Sequence, residues 1–199
     1  MTRLTSTEDR ERGAALVELA IVTPLLIALA LGVFEIVVAW GHSQTVVEAA
    51  RGASRTATQT GQAEQADQLA LRSVKAAFDN TWVDVQRVVV YDSTSPDGSP
   101  PAGCVATGVT TSPAGLNCNV YVSADLGDVL NDSRFYNGPD CGSGKSSNRC
   151  PTLRNNELDG AQWVGVWVEF EQPWLTGAFA LGNYTITEST VMRMEPRAG

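Results

Sequence analysis

Imidazole is almost absent: the 199-residue chain holds a single histidine, His42. A Ser-His-Asp or Cys-His centre would have to be built on that one base. Cysteine is sparse as well, four residues with none before position 104, and their gaps of 13, 22 and 8 intervening residues contain no C-x-x-C knuckle. That spacing argues against zinc. There is no basic run, and 14 Lys and Arg stand against 22 Asp and Glu, a formal net charge of −8. Such a chain repels phosphate backbones, which argues against nucleic acid as a partner. Neither a glycine-rich phosphate loop nor an H-E-x-x-H motif occurs, so no enzymatic activity, cofactor or metal is expected.

Charge is most conspicuously missing between Ala14 and Trp40. These 27 residues, AALVELAIVTPLLIALALGVFEIVVAW, carry two ionisable groups, Glu18 and Glu35. A helix of that length measures about 40 Å and crosses a hydrocarbon core of roughly 30 Å. The rival reading is a cleaved signal peptide, whose apolar region runs roughly 7 to 15 residues before a small-residue cleavage box. Ala28-Leu29-Ala30 spells such a box, but the apolar run continues through Leu31, Val33, Phe34 and Ile36 to Val38. The segment is therefore expected to stay as a transmembrane helix over residues 14–40. Pro24, inside it, should kink or loosen the helix, and Glu35, five residues from Trp40, should reach water at the outer boundary.

The remainder, residues 41–199, has the size of one ordinary domain, and its 11 basic and 17 acidic residues leave it at −6. Arg3, Arg10 and Arg12 precede the span and Arg51 and Arg55 lie after it, a small positive-inside bias toward a cytoplasmic N-terminus. Cys104, Cys118, Cys141 and Cys150 all lie beyond the span, which suits two disulfides in an oxidising exterior. Three pairings are possible; proximity favours Cys104 with Cys118 and Cys141 with Cys150, each closing a loop rich in Gly, Pro and Ser.

The front of the span reads Arg12-Gly13-Ala14-Ala15-Leu16-Val17-Glu18. An acidic residue costs roughly 2.5 to 3.5 kcal/mol at the centre of a lipid-embedded helix and less near its end. Glu18 therefore calls for a cationic partner. Cleavage between Gly13 and Ala14 would create one, the α-amino group of Ala14, able to neutralise its own Glu18 or that of a neighbouring subunit.

A short charged leader ending in glycine, a glutamate five positions after the cut and an apolar helix resemble the class III signal of type IV prepilins. The wider series adds Thr23-Pro24-Leu25-Leu26, Leu31-Gly32-Val33-Phe34-Glu35 and Glu48-Ala49-Ala50-Arg51-Gly52-Ala53. Together these elements resemble the TadE-like family of pseudopilins. The resemblance covers about the first 55 residues, and it implies a minor pseudopilin of tight-adherence (Flp-type) pilus assembly, with a pilin-like fold. It further implies a leader over residues 1–13, a prepilin peptidase cutting between Gly13 and Ala14, and an assembly role for Glu18. The implied partners are the lipid bilayer, that peptidase, other pilin or pseudopilin subunits and the pilus assembly platform. The implied location is a single-pass membrane protein with a cytoplasmic N-terminus and an extracytoplasmic C-terminal domain, also able to enter the pilus. The alternative is a permanently anchored extracellular binding or adhesion protein.

Beyond the span the helix should continue through Thr45–Ala57, with Val46, Ala49, Ala50, Ala53 and Ala57 as a narrow stripe, and end near Gly61. A second helix is expected from about Ala63 to Asp79. The period then changes to two, giving strands at Val83–Tyr91, Asn119–Ser123, Trp163–Gln172 and Tyr184–Glu195. In the third, Val164, Val166, Val168 and Phe170 share one face, and Trp163, Trp167, Glu169 and Glu171 the other. The fold class is thus α+β: a long N-terminal helix, a second helix and a four-stranded antiparallel sheet with disulfide-closed loops. Residues 93–101 and most of 125–162 read as loop. Asp125, Asp128, Asp132 and Asp140 form a loose acidic group that could take calcium but lacks EF-hand spacing. Trp163 and Trp167 pose the choice between a binding surface and cover for an apolar patch.

Overall fold

The computed structural model describes residues 6–79, 83–130, 134–135, 141–142, 144–157, 159–174 and 182–196, with side chains from residue 13 onward. Helix α1 runs Ser6–Thr60 with Pro24 inside it, and helix α2 spans Ala66–Phe78. Four strands come after them: β1 Asp84–Ser93, β2 Cys118–Val122, β3 Trp163–Pro173 and β4 Asn183–Arg193. They form one antiparallel sheet in the order β2-β1-β3-β4. The α+β architecture expected from the sequence is present.

Two compact units divide the chain. One comprises Met1–Gly41 with Trp174–Leu181; the other comprises His42–Pro173 with Gly182–Gly199. In the first, α1 carries an apolar stretch long enough to cross a membrane, with mean hydropathy 2.5. Leu16, Ile21, Leu25, Phe34 and Trp40 are all exposed on it, as the side chains of a helix built for a lipid solvent would be.

In the second unit the later part of α1 buries Val46, Ala49, Ala50, Ala53 and Ala57 completely or nearly so. Their spacing of three and four puts them on one stripe of the helix. Alanine lets the helix axis lie close to the sheet, and the stripe shares a core with Leu71, Val74 and Phe78 of α2 and with Val88, Val166, Val168 and Phe170 of the sheet. Ser54 Oγ donates to the Thr190 carbonyl at 2.7 Å, fastening α1 to β4. The helix stops where Gly61 takes a left-handed φ of +58°, a conformation glycine adopts without a Cβ penalty.

A bulge in β1 decides which residues face that core. Val85 pairs with Phe170 and Arg87 with Glu169, so two steps along β1 match one along β3. Without the extra residue Arg87 would share the inward face of Val85; with it, Arg87 points outward and Val88 and Val90 return to the core. The outward face is covered as well: Val89, Tyr91, Val120 and Trp167 pack with the half-cystines Cys104 and Cys118 in a second apolar cluster.

Short elements interrupt the connections that read as loop. Helix α3, Ala102–Val105, carries Cys104. Helix α4, Ser123–Gly127, lies across the start of the 125–162 stretch, and a 3-10 turn occupies Pro151–Leu153. Helices this short leave no room for a periodic pattern, so side-chain contacts define them. The Val122 amide donates to Asp125 Oδ2 at 2.9 Å, tying the start of α4. Cys104 is bonded to Cys118 and Cys141 to Cys150.

Candidate membrane and assembly site

Gly13, Ala14 and Glu18 all lie on α1 and are exposed. A Cβ added at Gly13 would meet nothing within 4 Å, so packing places no steric demand on a glycine there. Any requirement for it comes from outside the folded chain. Residues 13–20 are exposed throughout, which leaves the peptide bond after Gly13 and the Glu18 carboxylate accessible to another protein.

Glu35 departs from expectation. Instead of being hydrated at the outer boundary, its side chain is 3% exposed and is the only buried one between Gly13 and Gly41. A carboxylate within an apolar helix is costly in lipid, and burial within protein removes it from that solvent. Sequence distance from Trp40 could not reveal this.

His42, the lone imidazole, places Nδ1 2.6 Å from Gln172 Oε1 on β3. Its hydrogen bond is therefore to an amide and not to a nucleophile. Arg87 is likewise occupied. Its guanidinium meets Glu169, donates to the carbonyls of Ala106 and Val109 at 2.8 and 3.1 Å and to Val105 O at 3.2 Å, and lies 5.3 Å from the Trp167 ring. These contacts pin the disulfide-closed loop to the outer sheet face. Trp167 thereby covers an apolar patch rather than forming a bare surface, and it is 8% exposed.

Of the acidic group singled out in the sequence, Asp125 is buried between Arg134 and Lys145, at 3.1 and 3.4 Å, and Asp128 pairs with Arg134. Asp132 and Asp140 lie outside the described residues. Among the described residues no group of three or more His, Cys, Asp or Glu is placed to hold a metal. The polar side chains that do converge surround Asp67: Arg154 Nη2 reaches its Oδ1, while Asn119 Nδ2 and Tyr121 OH donate to its Oδ2 at 2.7 and 2.8 Å. Tyr121 also meets Ser146 Oγ at 2.9 Å. Burial above all, and the neighbouring Asp67 carboxylate, push the Tyr121 hydroxyl well above its ordinary pKa. The group joins α2, β2 and the segment after Cys141, and sequence offered no signal for it because its bonded partners lie 25 to 87 positions apart.

Several hollows open on the second unit. One of 570 Å³ is lined by Gln59, Gly61, Gln62, Asn156 and Glu195, and one of 410 Å³ by Gln86, Arg87, Glu169 and Glu171. Neither is lined by His or Cys.

Among the described residues one helix is long and apolar enough to cross a membrane, which supports a single-pass membrane protein with a disulfide-bonded α+β core in its second unit. Residues 13–55 match the family model described as TadE-like protein, so the N-terminal part of the chain is similar to that family. No curated protein and no solved structure matches the chain. The family match and the apolar helix together support a membrane-anchored protein of the tight-adherence system.

Proposed function

We propose that this chain is a minor pseudopilin, a non-enzymatic component of tight-adherence (Flp-type) pilus assembly. The observation that carries the reading is the TadE-like match, which begins at Gly13 and runs along α1 through Glu18. The leader over residues 1–13 is removed by a prepilin peptidase on the cytoplasmic side. Residues 14–40 then span the membrane, and residues 41–199 form the extracytoplasmic domain. The freed ammonium of Ala14 neutralises Glu18, its own in the membrane and that of a neighbouring subunit in the assembly. The exposure of residues 13–20 is compatible with both steps. Prepilin peptidase, other pilin subunits and the assembly platform are the partners.

Mass spectrometry of the protein extracted from its native membrane tests the reading and should give an N-terminus at Ala14. An intact leader in cells that contain the peptidase would instead favour a permanently anchored exterior binding protein. Glu18→Gln should leave insertion intact and reduce piliation, and pilus counts equal to the unmodified strain would rule out the ammonium–carboxylate pair.

A further inference from the structure

We propose that the outer edge of β4 accepts an added β-strand, an extended segment of another protein chain that carries two cationic side chains three residues apart. In the sheet order β2-β1-β3-β4 the last strand has one neighbour. Its register with β3 runs unbroken from Asn183 to Arg193, and just beyond it the Met194 amide donates to the Gln162 carbonyl at 2.9 Å. In an antiparallel ladder every second residue turns its N–H and C=O toward a given neighbour. The even-numbered residues of β4 therefore direct theirs to β3, and Thr185, Thr187, Ser189 and Val191 direct theirs away from it. Among the described residues nothing bonds those outward peptide groups.

The two edges of the sheet are treated differently. At β2 the outward amides of Val120 and Val122 donate to Ser112 Oγ and Asp125 Oδ2, and the Cys118 carbonyl accepts from Asn148. That edge is closed by side chains of its own domain. Edges left open are normally blunted by proline, lysine, a bulge or a very short strand. The eleven residues of β4, NYTITESTVMR, hold neither proline nor lysine, and the bulge in this sheet lies in β1. Thr185, Thr187 and Ser189 are exposed along it. Main-chain pairing at such an edge is one of the general ways in which an extended peptide is bound.

Charge selects the occupant. Glu188 stands mid-strand on the face shared with Ile186, and Glu171 stands on the other face, opposite Thr185 and beside the hollow of 410 Å³. Neither carboxylate has an ion-pair partner among the described residues. A second β4 paired about its own middle would set Glu188 against Glu188, an unfavourable like-charge pair. In an added strand the residues opposite Glu188 and Thr185 are three apart and so project to opposite faces. A cation at the first meets Glu188. A lysine or arginine at the second extends over Thr185 toward Glu171, two strand spacings or about 10 Å away.

The test uses the full chain in detergent micelles and a labelled, end-capped peptide, Thr-Val-Arg-Val-Thr-Lys-Val-Thr, with binding followed by fluorescence anisotropy. The peptide should bind, and the same peptide with Glu in place of Arg and Lys should not. Methylating alternate peptide nitrogens should abolish binding in one phase and spare it in the other, because one edge of the added strand faces β4. Thr187→Pro, which removes an outward N–H, should weaken binding about tenfold, with near-UV circular dichroism unchanged. Glu188→Gln and Glu171→Gln should each weaken it about two- to fivefold. Equal behaviour of the two methylation phases, or equal binding of the acidic peptide, would overturn the proposal. Dimerisation of the full chain that Thr187→Pro abolishes, with the peptide unbound, would assign the edge to a second copy and overturn it too. None of these readouts depends on cleavage after Gly13 or on pilus assembly.

Discussion

Arg154 and Asp67 form an ion pair with both side chains withdrawn from solvent, 1% and 0% exposed. Asp67 offers its other oxygen to Asn119 and Tyr121, whereas Arg154 Nε and Nη1 have no partner among the described residues. Removing Asp67 strands a guanidinium in the interior. Asp67→Ala should therefore cost about 3 to 5 kcal/mol, and adding Arg154→Met should recover much of that loss. Urea unfolding of the detergent-solubilised full chain, followed by near-UV circular dichroism, measures both. A double variant no more stable than the single one would refute the account.

Alkaline pH should unfold the second unit. Burial raises the hydroxyl of Tyr91 above its ordinary pKa of 10.0 and that of Tyr121 well above it. Both groups hold their protons more tightly folded than unfolded. The stability they contribute is fully present below about pH 10 and is lost as pH rises through the folded values. Absorbance at 295 nm should show these two tyrosines ionising only as near-UV ellipticity collapses. Their ionisation in the folded protein near pH 10 would contradict this.

Gly165 sits opposite Tyr91 across β1 and β3, and a Cβ there would come within 2.3 Å of the tyrosine ring. The Tyr91 hydroxyl is tied to the Gly98 carbonyl at 3.0 Å, so the ring is not free to swing away. Gly165→Ala should lower stability by about 1 to 3 kcal/mol through overpacking. Combining it with Tyr91→Ala should remove most of this added cost, because the clash then has no partner. A thermal midpoint unchanged in Gly165→Ala would exclude the close approach.

The Cys104–Cys118 bond closes a short loop, with a sequence separation of 14. A loop of this length constrains the unfolded chain by about 3 kcal/mol, which is the loss expected for Cys104→Ser with Cys118→Ser. The same pair lies in the apolar cluster with Trp167, and Arg87 grips the adjoining carbonyls. Loosening the loop should therefore shift Trp167 emission to the red. Unchanged emission in the double variant would show that Arg87 alone suffices to hold the loop.

Much of the fold could be read locally. The alanine stripe of α1, the stop at Gly61 and the alternation Val164, Val166, Val168, Phe170 each express a backbone period or a backbone preference, and each appears in the structure as read. The TadE-like resemblance is likewise local and is borne out over residues 13–55. The bulge at Val85–Arg87 was only half visible. The sequence shows valine changing phase between Val85 and Val88, but the pairing with Phe170 and Glu169 is what assigns Arg87 to the outer face.

Length, hydropathy and periodicity, which act between near neighbours, were enough to determine that this protein has a membrane-length helix continuing into an α+β domain. The tertiary structure alone decided where the unusual charges go: Glu35 out of solvent, Asp67 onto Arg154, and Arg87 over Trp167. Electrostatic free energy in a poorly solvated interior depends on which distant groups arrive together, and no local pattern encodes that.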